Sequence, residues 1–145
     1  MPLVPVRRSN TRLMVAVEKK RVLVVDDDPD LLQLVRILLA RTGVDVLTAL
    51  SVPDARQLLY DGTPPDLVVL DIMMPEISGV ELLHEIRGLS EFDGLPVLML
   101  SALIDPEQIR AALNAGADRY LTKPYVASSL VTVVQELLNA GRVVN

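Results

Sequence analysis

The 145-residue chain contains no cysteine, no tryptophan and a single histidine, His84. Without a thiol there is no disulfide framework, no thiolate metal site and no cysteine nucleophile. With one histidine there is no multi-histidine metal site. Aromatic side chains are scarce, three Tyr and one Phe, so any core has to be aliphatic. Long apolar runs are missing too. The longest uncharged stretch, Pro124–Gln135, has 12 residues, well short of the roughly 18–20 needed to cross a bilayer. The seven glycines are scattered and make no Gly-rich phosphate loop. Positive charge is in deficit, 14 Lys+Arg against 19 Asp+Glu, net −5. That balance argues against a general nucleic-acid-binding surface. The lack of cysteine suits a reducing, cytoplasmic setting.

The charge that is present is segregated. Residues 1–21 hold six bases and one acid, net +5, whereas residues 22–145 hold eight bases and 18 acids, net −10. Residues 1–20 show no clean period and contain Pro2 and Pro5; they are expected to form a flexible basic tail. Their apolar run, Leu13–Val17, has five residues, too short for the roughly 7–15-residue core of a secretory signal. Met14 is a second candidate for the true start, because the residues after it already open a domain. Residues 21–141 are read as one domain and 142–145 as a C-terminal tail. A chain of this length can bury about two-thirds of the surface its unfolded form exposes.

From Arg21 onward two periods alternate. Short β-branched runs (Val22–Val25, Val44–Thr48, Leu67–Leu70, Val97–Leu100, Tyr120–Thr122) have Asp, Gly or Pro at or within two residues of an end, and most read as buried strands. Between them apolar residues recur at helical spacing: Leu31, Leu34, Val35 and Leu38, and later Leu130, Val133, Val134 and Leu137. Asp28-Pro29 reads as N-cap and first helical residue. Ser51–Asp54 and Ser78–Glu81 fit capping boxes, and Asp105-Pro106 opens another helix. Gly43 and Gly116 fall where helices would stop. The pattern predicts five βα units: an α/β, doubly wound, flavodoxin-like fold. Its five-stranded parallel sheet has the order 2-1-3-4-5, with five helices on two faces.

In such a sheet the chemistry gathers at the carboxyl ends of the strands. Asp26, Asp27 and Asp28 follow the first strand, Asp71 the third, Ser101 the fourth, and Lys123-Pro124 the fifth. The proposed order makes these four strands neighbours. Three carboxylates at one edge repel one another unless a cation joins them. A hard divalent ion such as Mg²⁺ takes one or two carboxylates together with water and phosphate oxygens. Lys123 would add a point charge beside a phosphate, and Ser101 a hydroxyl donor. A carboxylate can itself attack phosphorus to give an aspartyl phosphate. Asp71, alone on the central strand between the acids and the Ser101–Lys123 pair, is the best nucleophile. Asp28 is read first as a helix cap, and His84, inside the third helix, as a surface residue.

The stretches VLVVDDDPD (22–30), PDLVVLDIMMPEISGVELL (65–83), PVLMLSA (96–102) and GADRYLTKPY (116–125) closely resemble the receiver domain of two-component response regulators. The likeness runs from about Lys20 to Ala140, and its single-domain, chemotaxis-regulator type is the nearest in size. The resemblance implies that Asp71 accepts a phosphoryl group from a sensor histidine kinase or a phosphotransfer protein. It implies that Asp26, Asp27, Asp71 and the Met73 backbone carbonyl serve a Mg²⁺ ion, that Lys123 pairs with the phosphorylated aspartate, and that Lys123-Pro124 is cis. Ser101 and Tyr120 would be the switch pair: Ser101 turns to the phosphoryl oxygens and the Tyr120 ring enters the space it leaves. That change would alter the face of helix 4, strand 5 and helix 5 and so control a downstream protein target. The implied protein is a signalling phosphoacceptor, not an enzyme in its own right, with no direct nucleic-acid or membrane partner, present as monomer or weak dimer.

Several positions depart from the family pattern. Tyr125 replaces the commoner Phe. Val126 replaces an acidic cap, so the fifth helix is expected to start late, capped by Ser128. Arg119 replaces an acid of the dimerising DNA-binding subfamilies, and Glu136 is the one charge between Val126 and Ala140, which argues against that dimer. Val131 and Leu138 lie off the main apolar stripe, so exposure and ordinary burial both stay open for them. Met73 and Leu103 flank the site and offer an attacking water no hydrogen bond, so self-dephosphorylation is expected to be slow. A Mg²⁺-dependent aspartyl-phosphate hydrolase of the haloacid-dehalogenase type would need a second acid two residues after its nucleophile, where this chain has Met73. A receiver that no longer takes phosphate would not need all the positions retained here. Whether the chain is a stand-alone regulator or a piece of a longer protein stays open.

Overall fold

The computed structural model describes residues 3–8, 11–16 and 19–142. The N-terminal stretch, irregular by its sequence pattern, holds two strands, Leu3–Arg8 and Thr11–Ala16, which pair antiparallel with Leu3 opposite Ala16 and Arg8 opposite Thr11. Pro5 stands opposite Met14 in this register. A two-stranded sheet consists of edge strands alone, a setting in which proline is admitted to a ladder.

The rest is one parallel sheet with helices on both faces. Its strands are β1 (Arg21–Val25), β2 (Asp45–Ala49), β3 (Leu67–Leu70), β4 (Val97–Ser101) and β5 (Arg119–Thr122). They lie in the order β2-β1-β3-β4-β5, all paired in parallel. The sequence-derived order holds, and strand limits differ by a residue or so. The helices are α1 (Pro29–Ala40), α2 (Val52–Tyr60), α3 (Gly79–Gly88), α4 (Pro106–Asn114) and α5 (Ala127–Ala140).

Strand pleating sorts the core into two layers. Val22, Val24, Leu67, Val69, Leu98 and Leu100 face α1 and α5. Leu23, Val25, Val68, Leu70, Val97 and Met99 face α2, α3 and α4. Because β1, β3 and β4 are covered on both sides, their residues are apolar without alternation, as buried parallel strands require. The polar groups are thereby pushed to the strand ends.

Helix starts follow the expected caps. The Asp28 carboxylate accepts from the Asp30 and Leu31 N–H groups, Ser51 Oγ from Asp54 N–H, and the Asp105 carboxylate from Glu107 N–H. Ser78 Oγ accepts from Val80 N–H, one residue earlier than a capping box would have it. Gly43 and Gly116 both follow helices at positive φ, 88° and 114°.

Two expectations are corrected. Of the expected α1 stripe, Val35 is buried and Leu31 and Leu38 are partly buried against the same layer, whereas Leu34 turns outward and the fully buried residues beside Val35 are Leu32 and Leu39. Leucines on neighbouring faces of α1 all have helical spacing, and the packing of α1 onto the sheet sets which of them lie at the centre of the buried face and which at its margin. Leu34 is 49% exposed. The fifth helix does not wait for Ser128: Val126 occupies its N-cap position with no side-chain hydrogen bond. Leu130, Val133, Val134 and Leu137 are buried as expected, and Val131 and Leu138 are partly buried against the same layer.

Candidate functional site

Four of the five strands end on a shared polar floor. β1 runs directly into Asp26, β3 into Asp71, β4 ends in Ser101, and β5 leads to Lys123. Among the described polar residues, Asp26, Asp71 and Ser101 are the buried ones, at 3%, 6% and 0% exposure. Burying ionisable groups is costly unless they are paired, and here they are. Lys123 Nζ donates to Asp26 Oδ2 at 2.6 Å and to Asp71 Oδ2 at 3.2 Å. Asp28 N–H donates to Asp26 Oδ1 at 3.0 Å, and Met73 N–H to Asp71 Oδ1 at 3.2 Å. Asp27 stays exposed.

Burial of Lys123 works to lower its pKa. The hydrogen bond to Asp26 and the charges of Asp71 and Asp26 outweigh that, so the ammonium is held above the usual lysine value. Carboxylate oxygens of Asp26, Asp27 and Asp71 lie within 4.8 Å of one another. Three carboxylates against one ammonium leave an excess of two negative charges, which one divalent cation would balance. An all-oxygen donor set with few protein ligands suits Mg²⁺, which keeps several waters and shares its shell with phosphate oxygens.

Ser101 and Tyr120 meet through a third residue that sequence inspection did not single out for this role. Leu103 N–H donates to Ser101 Oγ at 3.4 Å, and Tyr120 Oη–H donates to the Leu103 carbonyl at 2.9 Å. The Tyr120 ring is half-buried against the α2–α3–α4 layer. Burial raises its pKa, the Ser101 hydroxyl opposes this, and the Asp71 charge adds to it. The Lys123-Pro124 peptide bond is cis. The Met73 side chain is 58% exposed, and His84 is exposed on α3.

A second residue missed in the sequence is Gly79, the first residue of α3. A Cβ there would lie 1.8 Å from the Asp71 carbonyl oxygen, and Gly79 N–H donates to Ile72 O at 2.9 Å. Glycine therefore lets α3 seat against the backbone that carries Asp71. The available signal was a glycine directly after a capping serine, where any good helix former would otherwise serve.

Residues 22–135 match the response regulator receiver domain. The chain is 41% identical over 121 residues to the probable transcriptional regulatory protein TcrX of Mycobacterium tuberculosis, covering 81% of this chain and 49% of that protein. It is 40% identical to an uncharacterized protein of Leptolyngbya boryana, covering 79% of this chain and 87% of that one. A putative response regulator from Chloroflexus aurantiacus superposes with a TM-score of 0.79 at 33% identity, over 84% of this chain and 99% of that one. The chain thus spans about half the length of several curated relatives it matches.

Proposed function

This chain belongs to the response regulator receiver family, whose standard role is that of a signalling phosphoacceptor, and we propose that Asp71 is its phosphoacceptor. The observation that carries this reading is the pairing of the Asp71 carboxylate with Lys123 beside two further acids on a buried strand end. Among the described residues no other carboxylate combines near-complete burial, a central strand and a neighbouring ammonium with an adjacent hydroxyl on β4.

The donor is a phosphohistidine of a sensor kinase or phosphotransfer protein. One Asp71 oxygen attacks phosphorus and the P–N bond breaks. The imidazole leaves with its electron pair and takes up a proton. Negative charge on the transferring oxygens is the quantity to be stabilised. Lys123 Nζ, already on Asp71 Oδ2, supplies a positive charge there, and the Ser101 hydroxyl supplies a donor. Asp26 and Asp27, with Asp71 and the Met73 carbonyl, would hold Mg²⁺, which when bound screens the repulsion between carboxylate and phosphoryl oxygens. In the phosphorylated state Ser101 Oγ turns toward the phosphoryl group, Leu103 N–H loses its acceptor, and Tyr120 follows Leu103. The face of α4, β5 and α5 then differs between the two states, and a downstream protein distinguishes them.

The receiver proper is residues 21–141, a cytoplasmic module in this reading, with 1–20 and 142–145 outside it. It is not an enzyme acting on free substrates, and it is a monomer or weak dimer. Its own Arg119–Glu136 ion pair, at 2.8 Å, satisfies both charges within one chain. Intact-mass measurement after incubation with acetyl phosphate and Mg²⁺ tests the central claim. Wild type gains the mass of one phosphoryl group and Asp71→Asn does not; gain by both, or by neither, would refute it.

A further inference from the structure

Between the loop after β3 and helix α4 runs an open groove of about 680 Å³. Its walls include Met73, Met74, Val80, Leu103, Ala111 and Ala112. The groove exists because α4 is poorly filled on its inner side. Ala112 is its one buried residue, whereas α3 buries Leu82, Leu83 and Ile86. Met73 in its wall is 58% exposed, and Ile104, which follows the lining residue Leu103 in the chain, is 71% exposed. Contiguous exposed apolar surface of this kind marks interaction sites, and methionine suits a surface that moulds to a partner.

The charges around it are of one sign. The two segments that build the groove, residues 72–81 and 103–112, contain the exposed acids Glu76, Glu81, Asp105 and Glu107, and a single base, Arg110. Arg110 is held by Glu107 at 3.0 Å, so it offers no free positive charge. With Glu107 neutralised by Arg110, the carboxylates of Glu76, Glu81 and Asp105 have no basic partner among the described residues, and an apolar trough beside them fits a helix with an apolar stripe and Lys or Arg beside it.

The groove also shares a wall with the switch. Leu103, which lines it, accepts from Tyr120 and donates to Ser101. We propose that this groove is a docking surface for a cationic amphipathic helix of a partner protein, and that phosphorylation of Asp71 resets its affinity through Leu103. The coupling rests on the phosphoacceptor reading above; the docking surface does not.

The probe is a fluorescent synthetic helix built from Leu and Lys alone, titrated by anisotropy, with its Leu/Glu counterpart as control. The Lys helix is expected to bind the wild-type chain and the Glu helix not. Ala111→Arg and, independently, Gln108→Arg should weaken binding roughly tenfold or more by blocking and charging the wall, whereas Leu34→Arg on α1 should change it no more than about twofold. Circular dichroism melts confirm that each variant is folded. Equal binding to wild type and to both groove variants, or equal binding of the two probes, overturns the docking surface. Acetyl phosphate with Mg²⁺ should shift the affinity at least roughly threefold in wild type and leave Asp71→Asn unchanged. An unchanged affinity in protein whose mass shows the phosphoryl group overturns the coupling. Absence of the phosphoryl group itself refutes the phosphoacceptor reading instead, and leaves the groove to be judged by the wall variants.

Discussion

Lys123 lies closer to Asp26 than to Asp71: its Nζ is 2.6 Å from Asp26 Oδ2 and 3.2 Å from Asp71 Oδ2. One ammonium thus holds together two buried acids delivered by adjacent strands, β1 and β3. It does so across 97 residues of sequence separation to Asp26 and 52 to Asp71.

Removing that ammonium leaves both carboxylates buried without it. Lys123→Ala should destabilise the metal-free chain by about 1–3 kcal/mol, the cost of leaving buried charged groups without a partner. Without the ammonium competing for Asp26 and Asp71, Mg²⁺ should bind the folded variant more tightly than the folded wild type and so narrow the gap between them. Urea midpoints of wild type and variant, with and without Mg²⁺, check this; a variant loss that is the same in both conditions contradicts it.

Gly79 and Gly88 make an internally controlled pair on α3. An added Cβ meets the Asp71 carbonyl oxygen at 1.8 Å in the first case and open space in the second. Gly79→Ala should cost about 1–3 kcal/mol through forced backbone movement and should slow phosphorylation from acetyl phosphate. Gly88→Ala should leave the rate unchanged. Similar rates for the two variants would mean that the seat of α3 does not position Asp71.

The Arg56–Glu85–Tyr60 cluster joins α2 to α3 and sets a pH dependence at both ends of the scale. Burial pushes the Tyr60 phenol up to about 12, and its hydrogen bond to Glu85 adds to this. The fold therefore favours the neutral phenol. This contribution is complete below the ordinary tyrosine value near pH 10 and fades as pH rises toward 12. For Glu85, burial acts upward, but hydrogen bonds from Tyr60 and Arg56 prevail and hold its pKa below the ordinary value. Its contribution is present above about pH 4.3 and is lost as pH falls through the lowered value. The stability gap between wild type and Glu85→Gln should therefore be flat near neutrality and close in acid. Denaturant midpoints across pH give the gap, and phenolate absorbance in the folded chain should place one tyrosine near 12.

Once formed, the phosphoryl group should persist. Met73, two residues after Asp71, is 58% exposed, and Leu103 is the residue held between Ser101 and Tyr120. Neither side chain can orient an attacking water by a hydrogen bond. Intact mass followed after removal of the phosphodonor should show loss on a scale much longer than seconds. Loss within seconds would show that another group activates the water.

Much of this protein is legible without coordinates. Period-two and period-3.6 patterns are local, and so are the caps at Asp28, Ser51 and Asp105, because each is written within a few residues of the bond it makes. Parallel strands linked by right-handed crossovers then leave few topologies, and placing Asp26, Asp71, Ser101 and Lys123 on one edge follows from strand ends alone. Local patterns cannot say where on α1 the buried face is centred, because Leu31–Leu34–Val35–Leu38 and Leu32–Val35–Leu39 both have helical spacing; Leu32, Val35 and Leu39 lie at its centre, Leu31 and Leu38 at its margin, and Leu34 outside it. Docking against β1 and β2 made that choice. Nor could spacing reveal that Leu103 joins Ser101 to Tyr120, that Gly79 touches the backbone of Asp71, or that small residues on α4 leave a groove. Each depends on how closely two distant segments approach, a quantity set by the packing of the whole sheet and recorded in neither segment by itself.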